Sequence, residues 1–185
     1  LLAAAWLTAC AGGRGGALEW LDERSGVTLA RGREPLVFAR TETRYSRSAR
    51  DYLYVGPVET NRQGVKEYYL WVGVATTLDR GFIAPSTGLP QTLVIRIEGE
   101  PVELPLAPWA DLVRATARTP VYATAVPVKT ELAARVTLQQ LTLFERQPLA
   151  ALSVAVEGQS APRTYVRWGE GGGLEGFLSG RVAGL

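Results

Sequence analysis

Two long runs of aromatic and β-branched residues dominate the pattern of the chain. The first is Asp51-Tyr52-Leu53-Tyr54-Val55-Gly56-Pro57-Val58-Glu59 and the second is Glu67-Tyr68-Tyr69-Leu70-Trp71-Val72-Gly73-Val74-Ala75-Thr76. Residues of this kind suit a pleated, half-buried surface, so both runs predict strands. Asn61-Arg62-Gln63-Gly64 between them is turn chemistry and predicts a long hairpin. Its register should put Trp71 on the core side or beside it.

The same reading extends along the chain. Leu18–Asp22, Val27–Ala30 and Pro35–Arg40 read as short strands, with Gly26 marking a turn. Thr41–Arg50 is polar and Arg-rich and reads as a loop or short helix. Thr92–Glu98 and Pro101–Leu106 form a second hairpin around Gly99-Glu100, and its prolines predict an edge position for the second strand. Gly81–Pro90 reads as a loop, and Trp109–Val113 as one helical turn. Val121–Val128 reads as a strand that continues through Leu132–Val136 after a bend. Thr137 followed by Gln140 matches a capping box, so a helix should start there and stop near Gln147 before Pro148. Leu138, Leu141, Leu143 and Phe144 supply its buried face. Leu149–Glu157 and Arg163–Trp168 form a third hairpin, and Leu174–Leu178 a short helix. The sum is a mainly β (α+β) fold: an antiparallel β-sandwich-like domain with one or two short helices.

Composition adds limits. The chain has 185 residues, 46% of them hydrophobic, which is the size of one domain. Its net charge of +2 is too small for a nucleic-acid footprint. Lys66 and Lys129 are the only lysines among 20 basic residues, an Arg bias that fits a GC-rich genome.

The first ten residues, Leu-Leu-Ala-Ala-Ala-Trp-Leu-Thr-Ala-Cys, are apolar and uncharged, as in the tail of a signal peptide running into a cleavage site. Leu7-Thr8-Ala9-Cys10 resembles the lipobox of bacterial lipoproteins: an aliphatic residue, two small residues and a cysteine. The resemblance implies a lipid thioether on Cys10, cleavage before it, and acylation of the new amino group. Ala11, rather than Asp, resembles the outer-membrane sorting choice. Residues 1–9 are then residual signal peptide, 10–17 the lipidated cysteine and a Gly-rich tether, and 18–185 a single β-rich domain. The domain, from Ala49-Arg50-Asp51-Tyr52 through Tyr69-Leu70-Trp71, is similar to small Gram-negative envelope lipoproteins, a resemblance that brings no mechanism with it. Cys10 is the only thiol, so no intrachain disulfide is available.

The chain contains no histidine. Ser-His-Asp and Cys-His machinery is therefore excluded, as are metal sites built on imidazole. Asp51, Glu59, Glu67 and Asp79 are the nearest approach to a carboxylate pair, and they read as residues facing water or pairing with arginine. Gly169–Gly173 is Gly-rich but lacks the lysine and spacing of a phosphate loop. The Arg cluster Arg40, Arg44, Arg47 and Arg50 reads as a solvated loop, with contact to anionic lipid or lipopolysaccharide phosphates as the functional alternative. The most individual feature is the first hairpin, where Arg50, Asp51, Tyr52, Tyr54, Asn61, Arg62, Tyr68, Tyr69 and Trp71 offer an aromatic and arginine binding surface. An ordinary sheet with tyrosines alternating between core and solvent is the plainer account of the same residues.

These readings converge on a non-catalytic, periplasm-facing lipoprotein of the outer membrane with a protein-interaction or assembly role. No cofactor or metal is expected beyond the covalent lipid. The alternatives are a glycan- or lipid-binding module using the hairpin and, last, a carboxylate-based hydrolase.

Overall fold

The computed structural model describes residues 17–78, 89–113, 121–147, 149–156, 158–170, 174 and 177–179. The lipobox, the tether up to Gly16, Asp79, Pro148, Gly171–Gly173 and nearly all of the Gly81–Pro90 loop lie outside them.

The fold is built on antiparallel hairpins whose turns follow from local chemistry. The central one joins β4 (Arg50–Arg62) and β5 (Val65–Thr76), paired without interruption from Asp51↔Thr76 to Arg62↔Val65. Its turn is Gln63-Gly64, both at positive φ (52° and 91°). That is the two-residue turn whose twist matches a β-hairpin. The hairpin of β6 (Pro90–Ile97) and β7 (Glu100–Pro105) repeats the device at Glu98-Gly99 (52° and 93°), one residue earlier than the sequence pattern places it. The third predicted hairpin is β10 (Ala151–Val156) with β11 (Arg163–Arg167). β1 (Leu18–Asp22) pairs with β2 (Val27–Arg31).

Around the sheet the order is β7-β6-β10-β11-β3-β4-β5-β9-β8, where β3 is Leu36–Thr41, β8 Ala107–Pro108 and β9 Thr130–Val136. The two ends of this path are consecutive in sequence. Only Leu106 separates β7 from β8: its N–H bonds to the Gln91 carbonyl at 2.8 Å, and the next residue, Ala107, pairs with Ala133 of β9. One stretch of chain thus crosses from the first strand to the last, and the nine strands form a nearly closed antiparallel barrel. The mainly β antiparallel expectation holds, but the sandwich does not, because the sheet curls on itself instead of splitting into two layers. β7 stands at the end of the hydrogen-bonded path, as its prolines require.

The barrel has apolar residues on both faces of its best-paired strands. Leu53, Val55, Leu70, Val72, Leu132 and Ala134 belong to the interior, together with Phe38, Leu93, Ile95, Leu152, Val154 and Tyr165. Tyr54, Val58, Tyr69, Trp71 and Ala133 point outward, yet they are buried in a second cluster. Its cover is α1 (Trp109–Leu112) with Val113, and the segment 121–129. This segment is not the predicted strand. Two of its backbone N–H groups go to side chains, Val126 N–H to the Tyr54 hydroxyl (3.1 Å) and Val121 N–H to Glu131 Oε2 (3.2 Å), and it meets a strand backbone at its end, where Lys129 N–H donates to the Val74 carbonyl (2.9 Å). It works as a lid of apolar residues laid across the sheet.

β4 has two partners on one side, β3 along Arg50–Val55 and β2 along Val58–Asn61, so the sheet forks at Gly56-Pro57. Tyr122 fills the fork. Its hydroxyl donates to the Pro57 carbonyl at 2.6 Å and accepts the Gly32 N–H at 3.0 Å. Its ring lies against Trp71, with centroids 5.2 Å apart. The approach requires glycine at 56, where a Cβ would stand 2.6 Å from Tyr122 Cε2. Gly73 does the same for Trp71, since a Cβ there would meet Val128 Cγ2 at 2.9 Å and the indole as well.

The capping box forms as predicted: Gln140 N–H donates to Thr137 Oγ1 at 3.1 Å and Thr137 N–H to Gln140 Oε1 at 2.9 Å, opening α2 (Leu138–Arg146). Leu141 and Phe144 are buried, while Leu143 is exposed. A last helical turn at 177–179 packs Phe177 and Leu178 into the interior cluster.

Candidate functional site

At the tip of the β4–β5 hairpin the outer cover stops, and a groove of about 510 Å³ opens between the hairpin and the end of α1. Strand alternation decides which side chains enter it. Thr60 and Arg62 lie on the outward face of β4, and Val65, Glu67 and Tyr69 on the outward face of β5. Gln63 from the turn and Val27 from β2 complete that wall; Leu112 and Val113 form the opposite one. β9 pairs with β5 only as far as Tyr68↔Val136, so Val65–Glu67 carry no β9 neighbour.

The polar wall is organised by one carboxylate. Glu67 Oε2 accepts the Tyr69 hydroxyl at 3.0 Å, and Oε1 is 3.0 Å from the Arg135 guanidinium. Burial, and then the Glu67 carboxylate, raise the Tyr69 phenol above the ordinary tyrosine range, so it remains a donor at physiological pH. Arg62 is exposed and makes no ion pair with another described residue. Val65 is the most exposed large apolar side chain of the described residues, at 68%. The Tyr69 proton is thus committed to Glu67, and the groove joins apolar residues to an exposed cation, Arg62.

The predicted hairpin surface does not assemble as one site. Arg62 and Tyr69 reach the groove. Asn61 serves the turn, its Oδ1 accepting the Gly64 N–H at 2.9 Å. Trp71 is fully buried, its indole N–H donating to Glu131 Oε2 at 2.8 Å. Tyr54 is buried beneath the lid and Tyr52 is half-buried beside it, with ring centroids 6.2 Å apart. Tyr68 is half-buried against the interior cluster. Arg50 stands at the opposite end of β4, its guanidinium 4.6 Å from the Trp168 ring centroid.

Two carboxylates expected to face water or pair with arginine are inside the barrel. Asp51 and Glu59 are 3% and 4% exposed, on the inward face of β4. Asp51 lies opposite Arg40 in the register and raises the buried Tyr165 phenol, after burial itself. Glu59 Oε1 is 3.9 Å from Lys66 Nζ. Eight residues of one strand separate the two acids, about 26 Å, which is too far for them to act on one bond. Glu67 faces outward and is held by Arg135. Among the described residues no group of three or more acidic or cysteine side chains is gathered to hold a metal ion. No helix among them is long and apolar enough to cross a membrane.

Sequence pattern alone missed the α1 wall of the groove and the Arg50–Trp168 pair. The tryptophan directly after the β11 run was the available signal for the second, since an indole face is the preferred ring partner of a guanidinium. No protein-family model, curated protein or solved structure matches the chain. The fold and groove therefore define it only as a barrel-like, mainly β domain with a concave surface at one end.

Proposed function

We propose that the protein is a non-catalytic lipoprotein of the outer membrane, facing the periplasm, that holds an envelope protein partner through the groove at the β4–β5 tip. The lipobox residues Leu7-Thr8-Ala9-Cys10 support the anchor. The observation that carries the binding role is the groove, where exposed Val65 and half-buried Leu112 line the same concavity as the exposed Arg62. Apolar surface that excludes water, beside a few oriented polar groups, is what a partner side chain or peptide segment needs. Dispersal of the carboxylates favours binding over hydrolysis.

A photo-crosslinking amino acid at Val65, in cells, tests this. A discrete crosslinked species is expected there, and none with the same probe at exposed Leu143 on α2. Equal, diffuse labelling at both positions would remove the groove as the contact site. The second reading, a glycan ligand, is favoured by the polar side chains of Thr60, Arg62 and Gln63 along one wall. Saturable binding of soluble cell-wall fragments, lost in Arg62→Ala, would select it instead.

A further inference from the structure

The two ends of the barrel differ in charge. Loop 42–49, between β3 and β4, marks the end opposite the groove. It exposes Arg44, Tyr45 and Arg47, and its acidic residue Glu42 is engaged by Arg40 at 3.3 Å. Arg50 follows, stacked on Trp168, which is 48% exposed; Val166 beside it is 60% exposed. This end thus offers guanidinium groups next to a half-exposed indole and an exposed phenol. The groove end instead mixes signs, with exposed Glu23, Glu98 and Glu100 next to exposed Arg24, Arg62 and Lys66.

Strand direction and register say which ends the anchor can reach. β4 runs from the arginine loop to the tip, and β2 runs antiparallel to it. β1 is antiparallel to β2 and so runs toward the tip, entering at Leu18, opposite Arg31, whose own partner on β4 is Val58. The chain therefore enters β1 from the side of the arginine loop. Cys10 precedes Leu18 by eight residues, which span at most about 28 Å. From the register of Val58 it is about 26 Å along the strand to Arg50 and about 13 Å to Arg62, so a reach of that length includes the arginine end as well as the tip.

We propose that the end bearing Arg44, Tyr45, Arg47, Arg50 and Trp168 is a membrane-facing surface that docks on the phosphates of anionic phospholipids. This rests on lipidation of Cys10 for its biological setting, but the binding itself belongs to the folded domain. Arginine forks pair with phosphate oxygens, and tyrosine and tryptophan favour the headgroup level of a bilayer. Basic residues held near an anionic surface add to a lipid anchor that already keeps them there.

The test uses the full chain with Cys10→Ser, which has no thioether, in sedimentation with vesicles. Binding to phosphatidylglycerol/phosphatidylethanolamine vesicles and little binding to phosphatidylcholine vesicles are expected. Arg44→Glu with Arg47→Glu should weaken the anionic partition about thirtyfold or more. Trp168→Ala should weaken binding to a lesser degree. Residues 1–9 are common to all variants, so their apolar contribution cancels from these ratios. Both arginines are exposed, and an unchanged circular dichroism spectrum confirms folding. A Cys10→Ser chain that ignores anionic vesicles, or a double reversal without effect, would overturn the surface. Mass spectrometry of the Cys10 peptide from membranes reads the anchor separately: unmodified Cys10 overturns the anchor and leaves the vesicle result to decide the surface.

Discussion

Single residues hold the fork in the sheet, and Tyr122 is the clearest case. Tyr122→Phe would leave the Pro57 carbonyl and the Gly32 N–H without their partner in a buried site. A buried polar group left without a hydrogen bond costs about 1–3 kcal/mol, so a loss of roughly 2–4 kcal/mol is expected in urea denaturation. Gly56→Ala should cost a comparable amount by a different route, because the added methyl collides with the Tyr122 ring and overpacks a full site. pH reads the same residue. Burial raises the Tyr122 phenol well above its ordinary value, and Tyr54, Tyr69 and Tyr165 are raised as well, each chiefly by burial. A phenol that is harder to ionise when folded lends full stability below its unfolded pKa of about 10 and loses it as pH rises toward the folded value. Stability should therefore be flat with respect to these groups up to about pH 10 and fall above it, with a shallower fall in Tyr122→Phe. Little of this residue-scale detail was legible in sequence. Val121-Tyr122 looked like the start of a strand, and nothing local says that a tyrosine will be held by residues 65 and 90 positions away.

At the scale of elements the sequence was far more informative, because strands and caps are encoded locally. The β4–β5 and β10–β11 hairpins, the edge position of β7 and the capping box at Thr137 follow from alternation, turn residues and a four-residue motif. Thr137→Ala should cost about 1 kcal/mol, measured by thermal or urea unfolding. The turn at Gln63-Gly64 places a non-glycine residue at φ 52°, a conformation asparagine adopts more readily than glutamine. Gln63→Asn should therefore stabilise the hairpin by a few tenths of a kcal/mol, and Gly64→Ala should destabilise it by about 1 kcal/mol. The element that misled is 121–129. Val121, Tyr122, Val126 and Val128 carry the composition of a strand, but Pro127 has no N–H to give, and the N–H groups of Val121 and Val126 are taken by side chains of β9 and β4 instead of a strand ladder. Burial of Asp51 and Glu59 was hidden for a related reason. Alternation correctly assigns them to one face, but only closure of the sheet turns that face into an interior.

Closure is also what sets the protein's polarity as a whole, and it depends on pairings remote in sequence: β10 with β6, β11 with β3, and the β7–β8 crossing at Leu106. From one sequence a sandwich and a barrel read alike, since both are short antiparallel strands with alternating faces. Once the sheet is curled, β4 runs from the Arg50–Trp168 end to the groove end, about 40 Å along the strand. If the arginine end rests on the bilayer, the groove opens away from it, where a periplasmic partner can reach it. The single cysteine of the chain makes this orientation measurable, because its sulfur is consumed by the proposed lipid. New thiols at Ser46, in the arginine loop, and at Gln63, at the tip, both start from exposed positions. In lipidated protein on anionic vesicles, Ser46→Cys should react slowly with a membrane-impermeant maleimide, and Gln63→Cys at its detergent-solubilised rate. Adding Arg44→Glu and Arg47→Glu should speed the reaction at Ser46→Cys without changing the one at Gln63→Cys. Equal protection of the two positions would mean that the barrel lies on its side. Protection of Gln63→Cys alone would reverse the polarity and put the groove, instead of the arginine loop, against the membrane.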